Sequence, residues 1–239
     1  MTPSNASGNP PGAQIANRNA RVSREVEFLL DTATGPALAK SRTFNYDLTY
    51  QWSVDVERTV VKEFAFVEVD LNTAQTIPIG SLSSIPNGTL VRTTEIDYLT
   101  SDANYRSRNI LGIPTASRIK NGAGTVVAQT AWSYDEANFP RLPYPSVTGW
   151  TDPVTNFRAN ATSITSWRNF NGSTLSAFPA GTYLATHTQY DQCGSVRKIW
   201  DAGDTALSNP TLIEYSGDHH AYPTTQTTSD PMVLGHCSR

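Results

Sequence analysis

One stretch, from Thr186 to Asp201, does most to limit what this chain can fold into. Its first residues alternate threonine and tyrosine with polar side chains, which predicts a strand with one β-branched and aromatic face. Asp191 and Gly194 then mark a turn, because aspartate bonds its own backbone and glycine accepts a positive φ. A return strand follows from Ser195 to Trp200. The stretch therefore predicts a complete β-hairpin.

The first strand of this hairpin recurs along the chain. Each copy has a threonine followed four residues later by a tyrosine, which places both on one face of a strand. The pairs are Thr94 and Tyr98, Thr130 and Tyr134, Thr186 and Tyr190, and Thr211 and Tyr215. A large apolar residue lies between them in all copies except the third, which has Thr188. Such repetition predicts one supersecondary element used several times.

Composition excludes several classes of function. Charged residues make up only 16% of the 239 residues and the net charge is -3, so we expect no nucleic-acid partner. No apolar run reaches the length of about eighteen residues that a membrane-spanning helix needs, which predicts no membrane span. The first residues lack the charged and apolar regions of a secretory signal peptide.

Local composition divides the chain into three regions. Residues 1–20 are rich in Pro, Asn, Ser and Gly and are predicted to be disordered or peripheral. Residues 21–88 are predicted to be a long-stranded β region, with a short strand at Val22 to Leu30 and one long strand over the strict alternation from Phe44 to Glu57. Residues 89–239 are the hairpin-repeat region.

The pattern also predicts bends, turns and the remaining strands. A change of phase between Ala65 and Val67 predicts a bulge or a bend, Asn72 to Gly88 is loop-like, and Asn121 to Gly124 is a hairpin turn. Further strands are predicted at 89–99, 112–120, 125–134, 146–150, 159–170, 211–215 and 222–225. No segment keeps a helical period, so we expect very little helix. The predicted fold class is all-β, with consecutive antiparallel hairpins forming a curved sheet strip.

The central hairpin also carries a recognisable motif. Tyr190-Asp191-x-x-Gly194, followed by a strand that ends in Asp201-x-Gly203, resembles the YD repeat of the Rhs family. Relatives in that family include the teneurins and the B and C components of bacterial toxin complexes. The resemblance covers roughly Thr89 to Asp230 and leaves the region before it without a motif.

The other copies match this motif less completely. Tyr134-Asp135 keeps its first two residues, Tyr98 and Tyr215 lack the following aspartate, and Arg158 to Ser163 resembles the strand that often begins a unit. The family's self-cleaving core segment is not recognisable, and full shells contain many more repeats. We therefore interpret the chain as a piece of a larger shell or a degenerate member.

The resemblance implies a strip of β-hairpins that spirals into a hollow shell. In the family, such a shell encloses a separate polypeptide, often a toxin, or serves as an extracellular adhesion scaffold. The expected location is therefore extracellular or at the cell surface, as part of a longer protein. The expected partners are further repeats of the same shell or an enclosed polypeptide, and no catalytic residues are implied. The outer edge of the last strand is expected to meet another repeat.

Few residues suggest a chemical role. Adjacent histidines in Asp218-His219-His220 point to opposite faces of an extended chain and lack a metal-binding spacing, so we expect no metal and no cofactor. Several carboxylates are candidates for glycoside hydrolysis, but that reaction requires a particular distance between two of them, and the sequence alone does not give it. They are Asp97, Asp135, Glu136, Asp191 and Asp201. Cys193 is interpreted as a turn residue, and a bridge between Cys193 and Cys237 is left open.

Three functions remain open at this point. The leading one is a non-enzymatic structural segment of the shell. The second is an extracellular all-β module that binds carbohydrate or a protein partner through exposed aromatic residues, and the third is a glycan-acting enzyme. The tryptophans bear on the second, because they form either packed ladders between strands or a sugar-binding platform. They are Trp132, Trp150, Trp167 and Trp200.

Overall fold

The computed structural model describes residues 21–30, 36–48, 57–143, 151–152, 155–167, 183–215 and 222–228. The strands are β1 (Arg24–Leu29), β2 (Ala37–Tyr46), β3 (Arg58–Phe64), β4 (Val67–Val69), β5 (Leu90–Tyr98), β6 (Pro114–Asn121), β7 (Val126–Tyr134), β8 (Ala161–Trp167), β9 (Tyr183–Tyr190), β10 (Val196–Trp200), β11 (Thr211–Tyr215) and β12 (Pro223–Thr228). The helices are α1 (Leu71–Thr76), a 3-10 helix (Ile79–Ser84) and α2 (Ala103–Arg106). The prediction of an all-β chain with very little helix is confirmed.

All twelve strands belong to one curved, open, antiparallel sheet. Their spatial order follows the chain order from β1 to β12, except that β4 pairs with β2 and β3 pairs directly with β5. Each strand therefore lies beside its neighbours in sequence, as consecutive hairpins require. The β3–β5 pairing joins residues on both sides of position 88 in one sheet.

The prediction of a single long strand from Phe44 to Glu57 is wrong. β2 begins at Ala37 and ends at Tyr46, and Arg58 already lies opposite Tyr46 in the antiparallel partner β3. The amide of Asp47 also donates to the carbonyl oxygen of Glu57 at 2.9 Å. The pattern covers only the last three residues of β2 and stops just before β3, so alternation alone does not report where a strand ends. Residues 49–56 lie outside the described residues.

The predicted change near Ala65 to Val67 is confirmed as a bend. β3 ends at Phe64, and after this break the chain continues along the same edge of β2, where β4 pairs with Ala37 to Ala39. The segment expected to be loop-like, Asn72 to Gly88, instead includes most of α1 and the 3-10 helix. The carboxylate of Asp70 caps α1 by accepting a hydrogen bond from the amide of Thr73 at 2.8 Å. Elements this short leave no helical period in the sequence.

A small core lies at one end of the sheet, where the two helices cover β1, β2 and β4. Its buried members are Ala37, Ala39, Val69 and Ile85, with Val26, Phe28, Val67, Leu71, Ala74 and Ile77 packed against them. Arg24 fixes the 3-10 helix to β1 by donating to the carbonyl oxygens of Leu82 and Ile85, at 2.9 and 2.5 Å. The alanines allow close packing on this face because they add little volume.

Where the structure describes the repeat region, it confirms the strands predicted there. Those at 89–99, 112–120, 125–134, 211–215 and 222–225 correspond to β5, β6, β7, β11 and β12, and the Asn121–Gly124 turn joins β6 to β7. β8 covers the first part of 159–170. Residues 1–20, 146–150 and 168–170 lie outside the described residues. None of the helices in the described ranges is long and apolar enough to cross a membrane.

Candidate functional site

Tyrosines end five of the strands, and the hydroxyls of four of them bond to a neighbouring strand that lies earlier in the chain. The acceptor is a backbone carbonyl oxygen at, or just before, the first residue of that strand. The hydroxyls of Tyr46, Tyr98, Tyr134 and Tyr190 donate to the carbonyl oxygens of Val22, Arg58, Pro114 and Ala161 at 2.8, 3.4, 2.7 and 3.1 Å. Each bond therefore holds two neighbouring strands together at one end of the pair. The connection between the two strands lies at the other end.

A β-bulge follows every one of these tyrosines, and a fifth bulge follows Tyr215. In each case the tyrosine lies opposite the first residue of the next strand, and the register then shifts so that one residue of that strand stays unpaired. The unpaired residues are Thr59, Thr115, Thr162, Arg197 and Thr224. We call the tyrosine, its connection and the following bulge a tyrosine unit. Five such units make the sheet an internal repeat.

The threonines that precede the tyrosines are paired with residues of the neighbouring strands. Thr94 lies between Val61 and Ile119 on the neighbouring strands, and Thr211 lies between Ile199 and Thr228. The hydroxyl of Thr130 is 3.4 Å from that of Ser166, and the hydroxyl of Thr186 donates to the carbonyl oxygen of Ile164 at 3.5 Å. These contacts join adjacent strands, which is a packing role.

Two hairpin turns of the sheet share one geometry. Oδ1 of Asp191 accepts from the amides of Cys193 and Ser195 at 2.9 and 3.0 Å, and Gly194 has a φ of 87°. Asn121 makes the same pair of bonds to the amides two and four residues later, at 3.1 and 2.9 Å, and Gly124 has a φ of 84°. Both turns have a side-chain oxygen at the first position and a glycine at the fourth. The turn therefore does not need the charge of an aspartate.

Asp191 is fully buried, and Arg197 supplies its counter-charge. Nη1 of Arg197 lies 3.8 Å from Oδ2 of Asp191, and Nη2 donates to Oε2 of Glu214 at 2.8 Å. The unpaired position of the bulge, which is threonine in the other four tyrosine units, is arginine here. Because a buried carboxylate requires a nearby cation, the arginine at this bulge stabilises the turn.

Asp135 holds the connection between β7 and β8 through its carboxylate. Oδ2 accepts from the amides of Arg158 and Ala159, both at 2.8 Å, and from the hydroxyl of Tyr105 at 2.9 Å. Oδ1 accepts from the amide of Asn160 at 3.2 Å. The carboxylate therefore has four bonds within the chain, which is the environment of a structural anchor rather than of a free acid or base.

The next residue begins a chain of three polar side chains. Oε2 of Glu136 accepts from the hydroxyls of Thr162, at 2.8 Å, and Ser163. The Ser163 hydroxyl also lies 2.8 Å from Nδ1 of His187. The serine lies between the carboxylate and the imidazole, whereas in a catalytic triad the imidazole lies between the acid and the nucleophile. Ser163 is also buried, so these side chains connect the segment after β7 to β8 and β9.

Residues 136–143, which we call the strap, cross the sheet above β8 to β10. The Phe139 ring stacks on His187 with ring centroids 4.7 Å apart and contacts Trp200 at 5.6 Å. The side chain of Gln189 donates to the carbonyl oxygen of Pro140 at 2.7 Å, and the amide of Leu142 donates to the carbonyl oxygen of Tyr190 at 2.8 Å. Backbone and aromatic contacts together fix the strap on the sheet.

An open cavity of about 450 Å³ lies between the strap and the segment that Asp135 anchors. Phe139 and Phe157 contribute aromatic surface, and Glu136, Arg141 and Asn160 contribute polar groups. Arg141 is fixed in place, since its guanidinium lies 3.4 Å from Asp152 and donates to the side chain of Asn156 at 3.2 Å. A separate cavity of about 330 Å³ lies beside Asp47, Glu95 and Arg118.

Burial affects the acidity of the tyrosines. It raises the pKa of Tyr98, Tyr134 and Tyr190 above the ordinary value of 10.0, and Asp135 adds to the effect at Tyr190. The pKa of Tyr105 is raised further, first by burial and then by its hydrogen bond to Asp135. All four hydroxyls therefore stay protonated donors over the neutral pH range.

The other residues nominated from the sequence have structural surroundings or lie outside the description. Asp97 accepts from Arg118 at 2.7 Å, and the carbonyl oxygen of Asp201 accepts from the amide of Asp204. Trp200 is buried and donates from Nε1 to the carbonyl oxygen of Leu207 at 2.9 Å. Trp150, Asp218-His219-His220 and Cys237 lie outside the described residues. Within the described ranges, no group of acidic, histidine and cysteine side chains is arranged to hold a metal ion.

Most of the residues around Asp135 were not nominated from the sequence. These residues lie in separate parts of the sequence, and the order of strands in the sheet brings them together. They are Tyr105, Arg158, Ser163 and His187. Tyr46-Asp47 is a further Tyr-Asp pair, and it lies in a tyrosine unit that was not predicted from the sequence. The Tyr-Asp dipeptide is the signal that could have identified this unit. In comparisons with known proteins, neither a family model nor a curated protein matches this chain.

Proposed function

We propose that this chain is a non-enzymatic structural segment of a larger YD-repeat shell of the Rhs type, which encloses or displays another polypeptide. The observation that carries the proposal is the tyrosine unit, which occurs five times in one open sheet. A structural unit that recurs along a sheet is typical of a repeat protein, and a sheet built in this way can continue into further strands. In this proposal the protein acts at the cell surface or outside the cell.

The polar groups support a structural role. Asp135 and Asp191 are the aspartates of the two Tyr-Asp pairs noted in the sequence, and both accept hydrogen bonds from backbone amides of the loops that follow them. Ser163, the buried hydroxyl beside an imidazole, is held between Glu136 and His187. These groups stabilise loops, which is consistent with a chain that carries no reaction.

The two edges of the sheet support assembly with further strands. β1 carries Glu25 and Glu27, and charged residues on an edge discourage pairing with another strand. β12 reads Pro-Thr-Thr-Gln-Thr-Thr, with every residue exposed and no charge. In the described part of the chain β12 pairs only with β11, so its other edge is the place where we propose that the next repeat continues the sheet.

Size-exclusion chromatography with light scattering, combined with a thermal melt followed by far-UV circular dichroism, tests this proposal. An unclosed strip is expected to give oligomers or aggregates, or a broad melt, because its edges pair with other copies. A β-rich monomer that melts in one cooperative transition would contradict it. Introducing positive charge on this edge with Thr225→Lys and Thr227→Lys is expected to reduce the association, and Thr76→Lys, the same change at an exposed position on α1, is the control.

A further inference from the structure

We infer that the cavity between the strap and the 155–160 segment is a binding site for a neutral sugar of one or two pyranose rings. Its volume of about 450 Å³ falls within the range of roughly 300–1,000 Å³ that is usual for small-molecule sites. This site goes beyond the structural role proposed above and does not depend on it.

The walls of the cavity are fixed before any ligand arrives. Asp135 holds the 158–160 backbone through three amides, and Leu142 ties the strap to Tyr190 and Gln192 through backbone bonds. Phe139 is buried against His187 and Trp200, so the strap cannot shift without losing those contacts. A rigid site binds without first paying an ordering entropy, which favours a small ligand.

The charges of the cavity disfavour an anionic ligand. Asp135 already has four hydrogen bonds within the chain, and Arg141 already lies beside the carboxylate of Asp152. Glu136 uses Oε2 to bind the hydroxyls of Thr162 and Ser163, which add no positive charge. An anionic ligand would therefore lose its hydration and meet the carboxylate of Glu136, while Arg141 is already engaged by Asp152.

The remaining polar groups favour a ligand that both donates and accepts hydrogen bonds. Glu136 offers its second carboxylate oxygen as an acceptor, and the side-chain amide of Asn156 is exposed at the rim. Nδ2 of Asn160 is a buried donor with no hydrogen-bond partner in the structure, and Asn160 forms part of the cavity wall. Sugar hydroxyls act in both ways.

The aromatic wall supplies the second element of sugar recognition. Phe157 packs edge-on against Tyr105, with ring centroids 5.5 Å apart and an angle of 86° between the rings, and it also lines the cavity. The edge contact fixes the orientation of the Phe157 ring. The C–H face of a pyranose can pack on such a ring, which gives an apolar contact to a ligand whose edge is polar.

Saturation-transfer-difference NMR with D-glucose, D-galactose, D-mannose and N-acetyl-D-glucosamine at millimolar concentration tests the site. The wild-type chain is expected to give a saturable signal with at least one of these sugars. Phe157→Leu keeps an apolar side chain but removes the ring, and it should weaken binding about tenfold. Phe66→Leu, the same change at an exposed ring between β3 and β4, should leave binding unchanged.

A second variant keeps the test decisive if Phe157→Leu fails to fold. Asn160→Ala removes a side-chain donor that makes no hydrogen bond in the structure, so it should fold normally and weaken binding several-fold. Asn104→Ala, at an exposed position, is the matched control. Absence of signal from every sugar with folded wild-type protein would overturn the site. A signal that survives both Phe157→Leu and Asn160→Ala would also overturn it, because the sugar then binds elsewhere.

Discussion

The hydroxyl of Tyr134, at the end of β7, donates a 2.7 Å hydrogen bond to the carbonyl oxygen of Pro114, the first residue of β6. The bond crosses the open end of a hairpin whose other end is closed by the Asn121–Gly124 turn. The same relationship occurs at Tyr46, Tyr98 and Tyr190. Strand ends that would otherwise fray are therefore held together by one recurring side chain.

Tyr134→Phe is expected to lower the free energy of unfolding by about 1 kcal/mol, because it removes one hydrogen bond and retains the ring. Urea denaturation measures the effect. Tyr222→Phe is the control, since Tyr222 is 80% exposed. Equal stability of the Tyr134→Phe variant and the wild type would show that the bond to Pro114 contributes nothing.

Gly194→Ala is expected to destabilise the protein by about 1–2 kcal/mol, because a side chain at a φ of 87° is strained. A Cβ at this position meets no atom within 4 Å, so the cost comes from the backbone alone. Gly203→Ala, also in open space but without a positive φ, should change the stability by less than about 0.5 kcal/mol. Similar losses in the two variants would contradict the turn geometry.

Asp135→Ala is expected to cost about 3 kcal/mol or more, because three amides and the hydroxyl of Tyr105 lose their acceptor. Asp97→Ala removes a half-exposed carboxylate bonded to Arg118 and should cost less than about 1 kcal/mol. Thermal melts of both variants measure the difference. Comparable melting temperatures would show that Asp135 does not anchor the 158–160 backbone.

Stability should fall as the pH rises above about 10. The folded-state pKa values of Tyr98, Tyr105, Tyr134 and Tyr190 are raised from 10.0, so above that pH the unfolded chain releases protons that the folded chain retains. Their contribution is fully present below pH 10 and is lost as the pH rises toward the folded values. Chemical denaturation at increasing alkaline pH measures the slope.

Tyr105→Phe is the matched variant for this pH dependence. Its slope should be shallower by up to about 1.4 kcal/mol per pH unit, which corresponds to one proton. An unchanged slope in this variant would contradict the burial of the Tyr105 hydroxyl beside Asp135.

Much of the sheet was predictable from local patterns. The alternation that predicts β5, β7 and β9 reports a property of each strand alone, and the Asp191–Gly194 turn follows from the conformational preferences of its own residues. The Phe44–Glu57 error shows the limit of such patterns, since alternation does not report where a strand ends. Only Phe44 to Tyr46 of that pattern lies in β2, and β3 begins just after it, at Arg58.

The site was less predictable, because its contacts join residues far apart in sequence. The Tyr105 hydroxyl reaches Asp135 across thirty positions, and Ser163 meets His187 only because β8 pairs with β9 in one particular register. A shift of that register by one residue would move Ser163 to the other face of the sheet. The positions of the bulges were equally unpredictable, because nothing in the sequence distinguishes the unpaired Thr162 from a threonine that is paired in a strand.

The bulge opposite Tyr134 is the most direct test of the tyrosine unit. Nuclear Overhauser effects between backbone protons of β7 and β8 measure it in solution. The structure predicts contacts that pair Tyr134 with Ala161 and Ser133 with Ser163, with Thr162 left unpaired between them. Contacts that pair Tyr134 with Thr162 in a continuous register would contradict the account, because the tyrosine unit would then be absent from this hairpin.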